Sequence, residues 1–144
     1  MRIEFRKAKP SEIRSLMIFD RKAFAEYPAD WFDRKYWEAC ESWWMIVNGR
    51  KVGCCALEAS KTTLYIASTA ILAGYRGRGL GTIFKAWQIG FAQARGSRRI
   101  MLHTRRSNSA MIRLNRKFGF TVARTIARYY RDPDEPGLFM ELRF

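Results

Sequence analysis

A glycine-rich, basic segment at residues 75–82 separates two stretches of different periodicity, and its sequence is Tyr-Arg-Gly-Arg-Gly-Leu-Gly-Thr. The preceding run, 63–72, is apolar and rich in β-branched residues, which predicts a central strand. The stretch that follows, to about Arg95, places its apolar residues on one helical face, and Gly96 ends it. The segment therefore predicts a tight strand-to-helix turn in an α/β fold.

Such a turn favours a phosphate or pyrophosphate ligand. Glycines let the backbone approach a ligand closely, and the first turn of a helix offers unpaired N–H groups and a positive dipole end. Arg76 and Arg78 add positive charge. No Gly-Lys-Ser/Thr follows, which excludes a P-loop, and Thr82 stands where a dinucleotide fingerprint has its third glycine. An ordinary glycine-rich turn remains the alternative at this point.

The rest of the chain alternates between strand and helix periods, which predicts one α/β domain with a mixed sheet spanning residues 1–144. Asn48-Gly49 predicts a hairpin turn, and Ser107 or Asn108 predicts a helix cap. Residues 25–30 are expected to form a turn. The expected strands are 2–8, 42–48, 52–59, 63–72, 98–103, 120–130 and 137–143, and the expected helices are 10–24, 31–40, 80–95 and 108–118.

The cysteines and the apolar runs exclude several classes of protein. Cys40, Cys54 and Cys55 form no CxxC pair, which argues against a zinc site or a disulfide framework, so we expect no metal. No apolar run is long enough to cross a bilayer, and the N-terminus lacks the apolar core of a signal peptide. We therefore expect a cytoplasmic protein without a membrane partner.

The charge is unusually positive, with 27 Lys and Arg against 13 Asp and Glu, a net charge of +14 and a pI near 10.4. A charge of this size favours polyanionic partners. Coenzyme A is one such partner, and the ribosome or another RNA is a second. A solvated basic surface without a specific role is the third interpretation.

Two motifs together resemble the GNAT superfamily of acetyltransferases over residues 60–130. The first is Arg76-x-x-Gly79-x-Gly81, and the second runs from Ser107-Asn108 through Ala110 and Leu114 to Phe118-Gly119-Phe120. The resemblance implies a single-domain mixed sheet of about seven strands, with a splayed central strand pair and about four helices. It also implies acetyl-coenzyme A (acetyl-CoA) as co-substrate.

Within the superfamily the chain looks most like the protein N-terminal acetyltransferases, of the ribosomal-protein-alanine and the methionine-preferring types. Leu64-Tyr65-Ile66, Leu102-His103 and Tyr129-Tyr130 carry this resemblance. It implies direct attack of an N-terminal α-amine on the thioester in a ternary complex. It also implies that Tyr65 and His103 are catalytic and remove the amine proton through a water.

His103, the only histidine, is a base of suitable strength for an α-amine acceptor. An α-amine has a pKa near 8, so roughly a tenth is already neutral at pH 7. Histidine, with an ordinary pKa of about 6.5, takes protons near neutrality, and His103 is expected at the C-terminal end of its strand. The alternative is a hydrogen-bonded histidine at a strand end without a catalytic role.

The resemblance also assigns binding roles. Asn115 holds the place of a tyrosine that protonates the leaving thiolate in many members, and amide is a poor acid. Phe24 is expected to pack in the core. The residues expected at the acceptor peptide are Tyr27, Tyr129 and Tyr130. Those expected at the cofactor are Thr69, Ala70, Ile71, Arg76, Gly77, Arg78, Gly79, Leu80, Gly81, Thr82, Asn108 and Asn115.

Other acceptors and another class of protein stay open. The acceptor could be a lysine, a small amine or the amine of an aminoacyl-tRNA, the last of which would suit the charge. A non-catalytic acyl-CoA-binding or RNA-binding module would use a basic patch, and the chain could act as a monomer or a dimer. The candidate patch residues are Arg95, Arg98, Arg99, Arg105, Arg106, Arg113, Arg116 and Lys117.

Overall fold

The computed structural model describes all residues, 1–144, and shows seven strands and four α-helices. The elements are β1 (Ile3–Lys7), α1 (Ile13–Ala23), α2 (Arg34–Ala39), β2 (Glu41–Val47), β3 (Arg50–Ala59), β4 (Thr63–Ile71), α3 (Leu80–Ala94), β5 (Arg99–Arg105), α4 (Ser109–Lys117), β6 (Thr121–Tyr130) and β7 (Glu135–Arg143).

The strands form one sheet in the order β1-β2-β3-β4-β5-β7-β6. The predicted α/β class, the mixed sheet and the numbers of strands and helices are confirmed. None of the helices combines the length and apolar character of a membrane span.

The chain forms two compact units, of which the first comprises Met1–Glu58 and Ile66–Leu80. Strands β1, β2 and β3 pair antiparallel in this unit. The hairpin between β2 and β3 turns at Asn48 and Gly49, whose φ angles of 50° and 81° confirm the predicted turn. The core of the unit is built from buried side chains of α1, α2 and the strands, namely Leu16, Ala23, Trp37, Trp44, Cys54, Ala56 and Ala70.

Helix α2 is shorter than predicted. The expected helix 31–40 is wrong over its first three residues, since α2 begins at Arg34. The Asp33 carboxylate accepts a hydrogen bond of 2.8 Å from the backbone N–H of Tyr36 and so fixes Asp33 as the N-cap. Within the predicted turn, Pro28–Asp30 forms a short 3₁₀ helix, and Trp31 is extended.

The second unit comprises Ala59–Tyr65 and Gly81–Phe144. Strand β4 starts beside β5 in the same direction, because the N–H of Arg98 donates to the carbonyl of Thr62 at 2.7 Å and Arg99 Nε donates to Thr63 Oγ1 at 3.0 Å. Strand β7 pairs antiparallel with both β5 and β6. Asn108 caps α4 by accepting from the N–H of Met111, as predicted, and Gly119 ends this helix region with a φ of 95°.

Strand β5 is longer than predicted, and this moves His103. The prediction that His103 stands at the strand's end is wrong, since β5 continues to Arg105. Thr104 and Arg105 extend the pairing because they lie opposite Leu138 and Gly137 of β7. His103 therefore lies inside a paired strand, opposite Phe139.

Candidate active site

The glycine-rich segment forms the predicted turn between β4 and α3. Ala73–Tyr75 makes one 3₁₀ turn, and α3 begins at Leu80. Gly77 and Gly79 have φ angles of 75° and 80°, in the left-handed region that side chains disfavour. A Cβ at either glycine would meet no atom within 4 Å. Backbone conformation and not crowding therefore explains these two glycines, and the loop surface is open to a ligand.

The two arginines of the loop are used differently. Arg76 Nε donates to the carbonyl of Ile71 at 3.0 Å, and its Nη2 donates to the carbonyl of Ala23 at 2.8 Å. Arg76 therefore braces the loop against β4 and the end of α1, where sequence reasoning expected it to meet phosphate. The guanidinium of Arg78 lies 5.3 Å from the ring centre of Tyr75, and its residue is exposed.

The residues of this segment fit a pyrophosphate. Leu80, Gly81 and Thr82 form the first turn of a 15-residue helix, whose N–H groups and dipole favour an anion. Exposed Arg78 adds the charge. Thr69, Ala70 and Ile71 form the end of β4, and Ala70 is buried while its two neighbours are partly exposed. Their pairing with a pantetheine arm stays a prediction.

Tyr65 and His103 are brought together in the second unit. The phenolic oxygen of Tyr65 lies 2.6 Å from Nδ1 of His103. The two side chains come from the start of β4 and the middle of β5, which run in the same direction. The structure thus joins the two residues that sequence reasoning assigned to catalysis.

Aromatic rings surround the imidazole. The ring of Tyr129 is stacked on His103 with centroids 4.5 Å apart and an interplanar angle of 5°, and Phe139 lies at 5.0 Å. Burial among these groups, with a smaller contribution from the positive charge of Arg124, lowers the pKa of His103 below 6.5. His103 is consequently neutral at pH 7 and able to accept a proton.

The pair forms a two-step path for a proton. In the tautomer with hydrogen on Nε2, the Tyr65 hydroxyl donates to Nδ1. When the phenolic oxygen takes a proton from an amine or a water, its own proton passes to Nδ1. The imidazole then carries the charge, which burial and Arg124 make less stable than in water. The arrangement therefore suits a substrate whose amine releases its proton easily.

Tyr129 and Tyr130 end β6 side by side, with ring centroids 4.9 Å apart. Tyr129 is 43% exposed. Arg105, only 7% exposed, lies over the Tyr130 ring at 4.6 Å and donates to the carbonyls of Arg131 and Pro133 and to Glu135 Oε1, each at 2.9 Å. Arg105 therefore holds the β6–β7 turn, and the prediction that it belongs to an exposed basic patch is wrong.

The two asparagines expected at the cofactor differ. Asn108 is exposed at the start of α4, where its side-chain oxygen is used as the cap. Asn115 is 0% exposed, and its Nδ2 lies 3.8 Å from the sulfur of Met140. Its Oδ1 is buried without a hydrogen-bond partner. Burial in the core contradicts the expectation that Asn115 contacts the cofactor.

The remaining predicted residues belong to the first unit. Tyr27 is partly exposed and precedes the 3₁₀ helix Pro28–Asp30. Phe24 packs against the core cluster of that unit, which confirms its predicted structural role.

Sequence reasoning missed Arg124, Glu135 and Gly137, all in the strands around His103. Arg124 lies over Phe139, and Glu135 accepts from both Arg105 and Ser107. Gly137 lies opposite Arg105. A glycine inside a strand often marks the close approach of another group. Gly137 is therefore the one signal in the sequence that could have pointed to this part of the site.

The family of the chain follows from comparison with known proteins. The Acetyltransferase (GNAT) family matches residues 12–120. N-alpha-acetyltransferase 50 of Danio rerio is 30% identical over 139 residues, covering 90% of this chain and 81% of that protein. The chain belongs to the GNAT acetyltransferase family. It is an acetyl-CoA-dependent N-acetyltransferase.

Solved structures share the fold over the whole chain. Arabidopsis thaliana Naa50 in complex with the bisubstrate analogue CoA-Ac-MVNAL superposes with a TM-score of 0.88 at 22% identity, covering 100% of both chains. The ribosomal-protein-S18-alanine N-acetyltransferase from Escherichia coli superposes with a TM-score of 0.87 at 21% identity, covering 99% of this chain and 94% of that one.

Proposed function

We propose that the acceptor is the N-terminal α-amine of a protein or peptide. The observation that carries this proposal is the contact of 2.6 Å between Tyr65 and a His103 whose pKa is lowered. A weak base of this kind matches an α-amine, whose pKa is about 8. It is poorly matched to a lysine side chain, whose pKa is about 10.4.

The reaction would be a direct attack in a ternary complex. The amine nitrogen forms a bond to the thioester carbonyl carbon, and the bond from that carbon to sulfur breaks. The amine proton passes, directly or through a water, to the Tyr65 oxygen, and the Tyr65 proton passes to His103 Nδ1. Because Asn115 is buried in the core, the coenzyme A thiolate takes its proton from solvent.

The relatives support the same class of acceptor. The zebrafish protein is named an N-alpha-acetyltransferase, the Arabidopsis structure holds a peptide-bearing bisubstrate analogue, and the Escherichia coli structure is of a ribosomal-protein-alanine acetyltransferase. Tyr65 and His103 together match the methionine-preferring type. We therefore expect methionine among the accepted first residues.

We propose that Tyr129 and Tyr130, both of the second unit, contact the peptide. Tyr129 is the more exposed of the two, and Tyr130 is fixed by Arg105 at the end of the same strand. Tyr27, the third tyrosine predicted at the peptide, belongs to the first unit and is partly exposed, and its contact with the peptide stays a prediction. Aromatic rings with a polar tip suit a peptide backbone that is apolar and hydrogen-bonding in turn.

A peptide panel tests the acceptor. Peptides that differ only in the first residue are assayed for coenzyme A release, each beside an N-terminally blocked copy that contains a lysine. We expect turnover of free N-termini, with the acetyl group located on the α-nitrogen by mass spectrometry. Turnover of the blocked, lysine-containing copies, or of small amines alone, would remove the proposal.

A second proposal concerns RNA, such as that of the ribosome, as a partner of the basic surface. Exposed cations cluster in sequence on and beside α4, where Arg106, Arg113, Arg116 and Lys117 are all exposed. RNA binding through them should weaken steeply with salt. The Arg113→Glu/Lys117→Glu variant should lose binding to ribosomes in sedimentation at low salt, and unchanged sedimentation would reject the partner. We also propose that the protein is cytoplasmic.

A further inference from the structure

The ring of Tyr129 lies directly on the backbone of Gly137. A Cβ built on Gly137 would stand 2.8 Å from both Cγ and Cδ2 of Tyr129 and 2.9 Å from its Cβ. Real Cβ atoms do not come this close to other carbons, because such contacts are far inside van der Waals distance. Only glycine at position 137 therefore permits this placement of the ring.

The space above Gly137 adjoins His103. On the paired strands β5 and β7, His103 lies opposite Phe139 and Arg105 lies opposite Gly137. Side chains two residues apart on a strand point to the same face, so all four positions share one face of the sheet. A ring that fills the place of a side chain at 137 is therefore next to the imidazole, which explains the 4.5 Å stacking.

The backbone of β6 is irregular at the same point. Ile126 pairs with Gly137 and Tyr130 pairs with Glu135, so three residues of β6 stand against one residue of β7. Arg128, in the middle of the three, has a φ of 53°, which is uncommon for a residue with a side chain. Bulges of this kind redirect side chains, and here the redirected side chain is Tyr129.

We propose that Gly137 and the bulge at 127–129 hold the Tyr129 ring against His103, and that Tyr129 is thereby the positioning residue for the imidazole. The stacked ring fixes the plane of the imidazole, so that Nδ1 meets the Tyr65 hydroxyl. Gly137 acts only through Tyr129. This inference rests on the proposed role of His103 in catalysis, but the geometry it describes exists without substrate.

The other groups around His103 come from three strands. Tyr65 comes from β4, Phe139 from β7, and Arg124 from β6, where it directly follows a separate irregularity between Val122 and Arg124. The charged or titratable groups around the imidazole are Tyr65, Arg124 and Tyr129, and Arg105 shares its face of the sheet. Tyr129 alone occupies the space that a side chain at position 137 would fill, which makes its placement separable by mutation.

His103 offers a direct test because it is the only histidine, so the protein gives a single imidazole titration by NMR. Gly137→Ala should displace the Tyr129 ring and expose the imidazole, which raises its pKa toward 6.5. Tyr129→Leu should do the same, whereas Tyr129→Phe keeps the ring and should leave the titration unchanged. Gly90→Ala is the matched control, since a Cβ there meets nothing within 4 Å. An unchanged His103 titration in folded Gly137→Ala and Tyr129→Leu would overturn the proposal, whether or not peptides are acetylated.

Kinetics with the best peptide separate positioning from general structure. Gly137→Ala should lower kcat roughly tenfold or more because the base is misplaced, with a smaller change in KM. In the Tyr129→Leu background, adding Gly137→Ala should lower kcat no further. Equal losses in both backgrounds would show that Gly137 acts without Tyr129. If no peptide turns over, the titrations still decide the positioning proposal, and only the proposed function fails.

Discussion

The Tyr65 hydroxyl and His103 Nδ1 are 2.6 Å apart, although the two residues are 38 positions apart in the chain. Strands β4 and β5 bring them together because both begin at the same end of the sheet. The contact couples a phenol, which is a poor base by itself, to an imidazole that is neutral at pH 7. Loss of either side chain should therefore interrupt the same proton path.

Tyr65→Phe should lower kcat by about 100-fold, with little change in the KM for peptide. The ring and its packing remain, and only the oxygen that passes the proton is lost. Initial rates with the best peptide of the panel measure the effect, and Tyr36→Phe on α2 is a matched control. Because the residues share one path, the Tyr65→Phe/His103→Gln double variant should be about as slow as the slower single variant. Multiplying losses would show that the two residues act independently.

The pH profile of kcat/KM should show two proton-binding groups on its acidic side. One is the α-amine of the free peptide, with a pKa near 8, and the other is His103 in the free enzyme. The pKa of His103 is lowered, so the break that its protonation causes in the profile should lie below pH 6.5. The logarithmic slope should steepen from about one to about two in that range. His103→Gln should keep only the break near 8, and a second break surviving in this variant would assign it to another group.

Local signals in the sequence predict the parts of this molecule that depend on a few neighbouring residues. The Asn48-Gly49 turn, the Asn108 cap and the loop at 75–82 need only backbone preferences and a helix terminus. The predicted start of α2 is wrong because the apolar residues after Asp30 continue a helical pattern that the Asp33 cap interrupts. The apolar periodicity favours an earlier helix start, but the hydrogen bond from the Tyr36 N–H to the Asp33 carboxylate fixes the start of α2 at Arg34.

The surroundings of His103 depend on strand register, which the sequence specifies only through the whole sheet. Arg105 follows His103-Thr104 and precedes Arg106, and these sequence neighbours give no sign that its side chain is buried. It is buried because β7 brings Glu135 to it from 30 positions away. The fit of Tyr129 over Gly137 needs both that register and the bulge in β6. Neither feature has a local signature beyond the glycine itself.

Arg105→Lys should destabilise the protein by about 2 kcal/mol and raise the KM for peptide more than it lowers kcat. Lysine keeps the charge but cannot reach Arg131, Pro133 and Glu135 together, as the guanidinium does. The β6–β7 turn would then hold Tyr130 less firmly. Urea unfolding and peptide kinetics measure the two effects. Arg106→Lys is the control because Arg106 is exposed and only its backbone N–H binds β7. Equal behaviour of the two variants would contradict the bracing role of Arg105.

Asn115→Leu should leave kcat unchanged and leave the free energy of unfolding equal or higher by about 1 kcal/mol. The wild-type Oδ1 is buried without a partner, and the amide nitrogen has only the Met140 sulfur at 3.8 Å. Leucine of similar volume removes an unsatisfied carbonyl from an apolar site, so little is lost. Asn115→Asp, which buries a charge in the same place, should by contrast be strongly destabilised. Urea unfolding and peptide kinetics measure these effects. A folded Asn115→Leu enzyme whose kcat falls tenfold or more would mean that this amide reaches the departing sulfur, and that solvent alone does not protonate it.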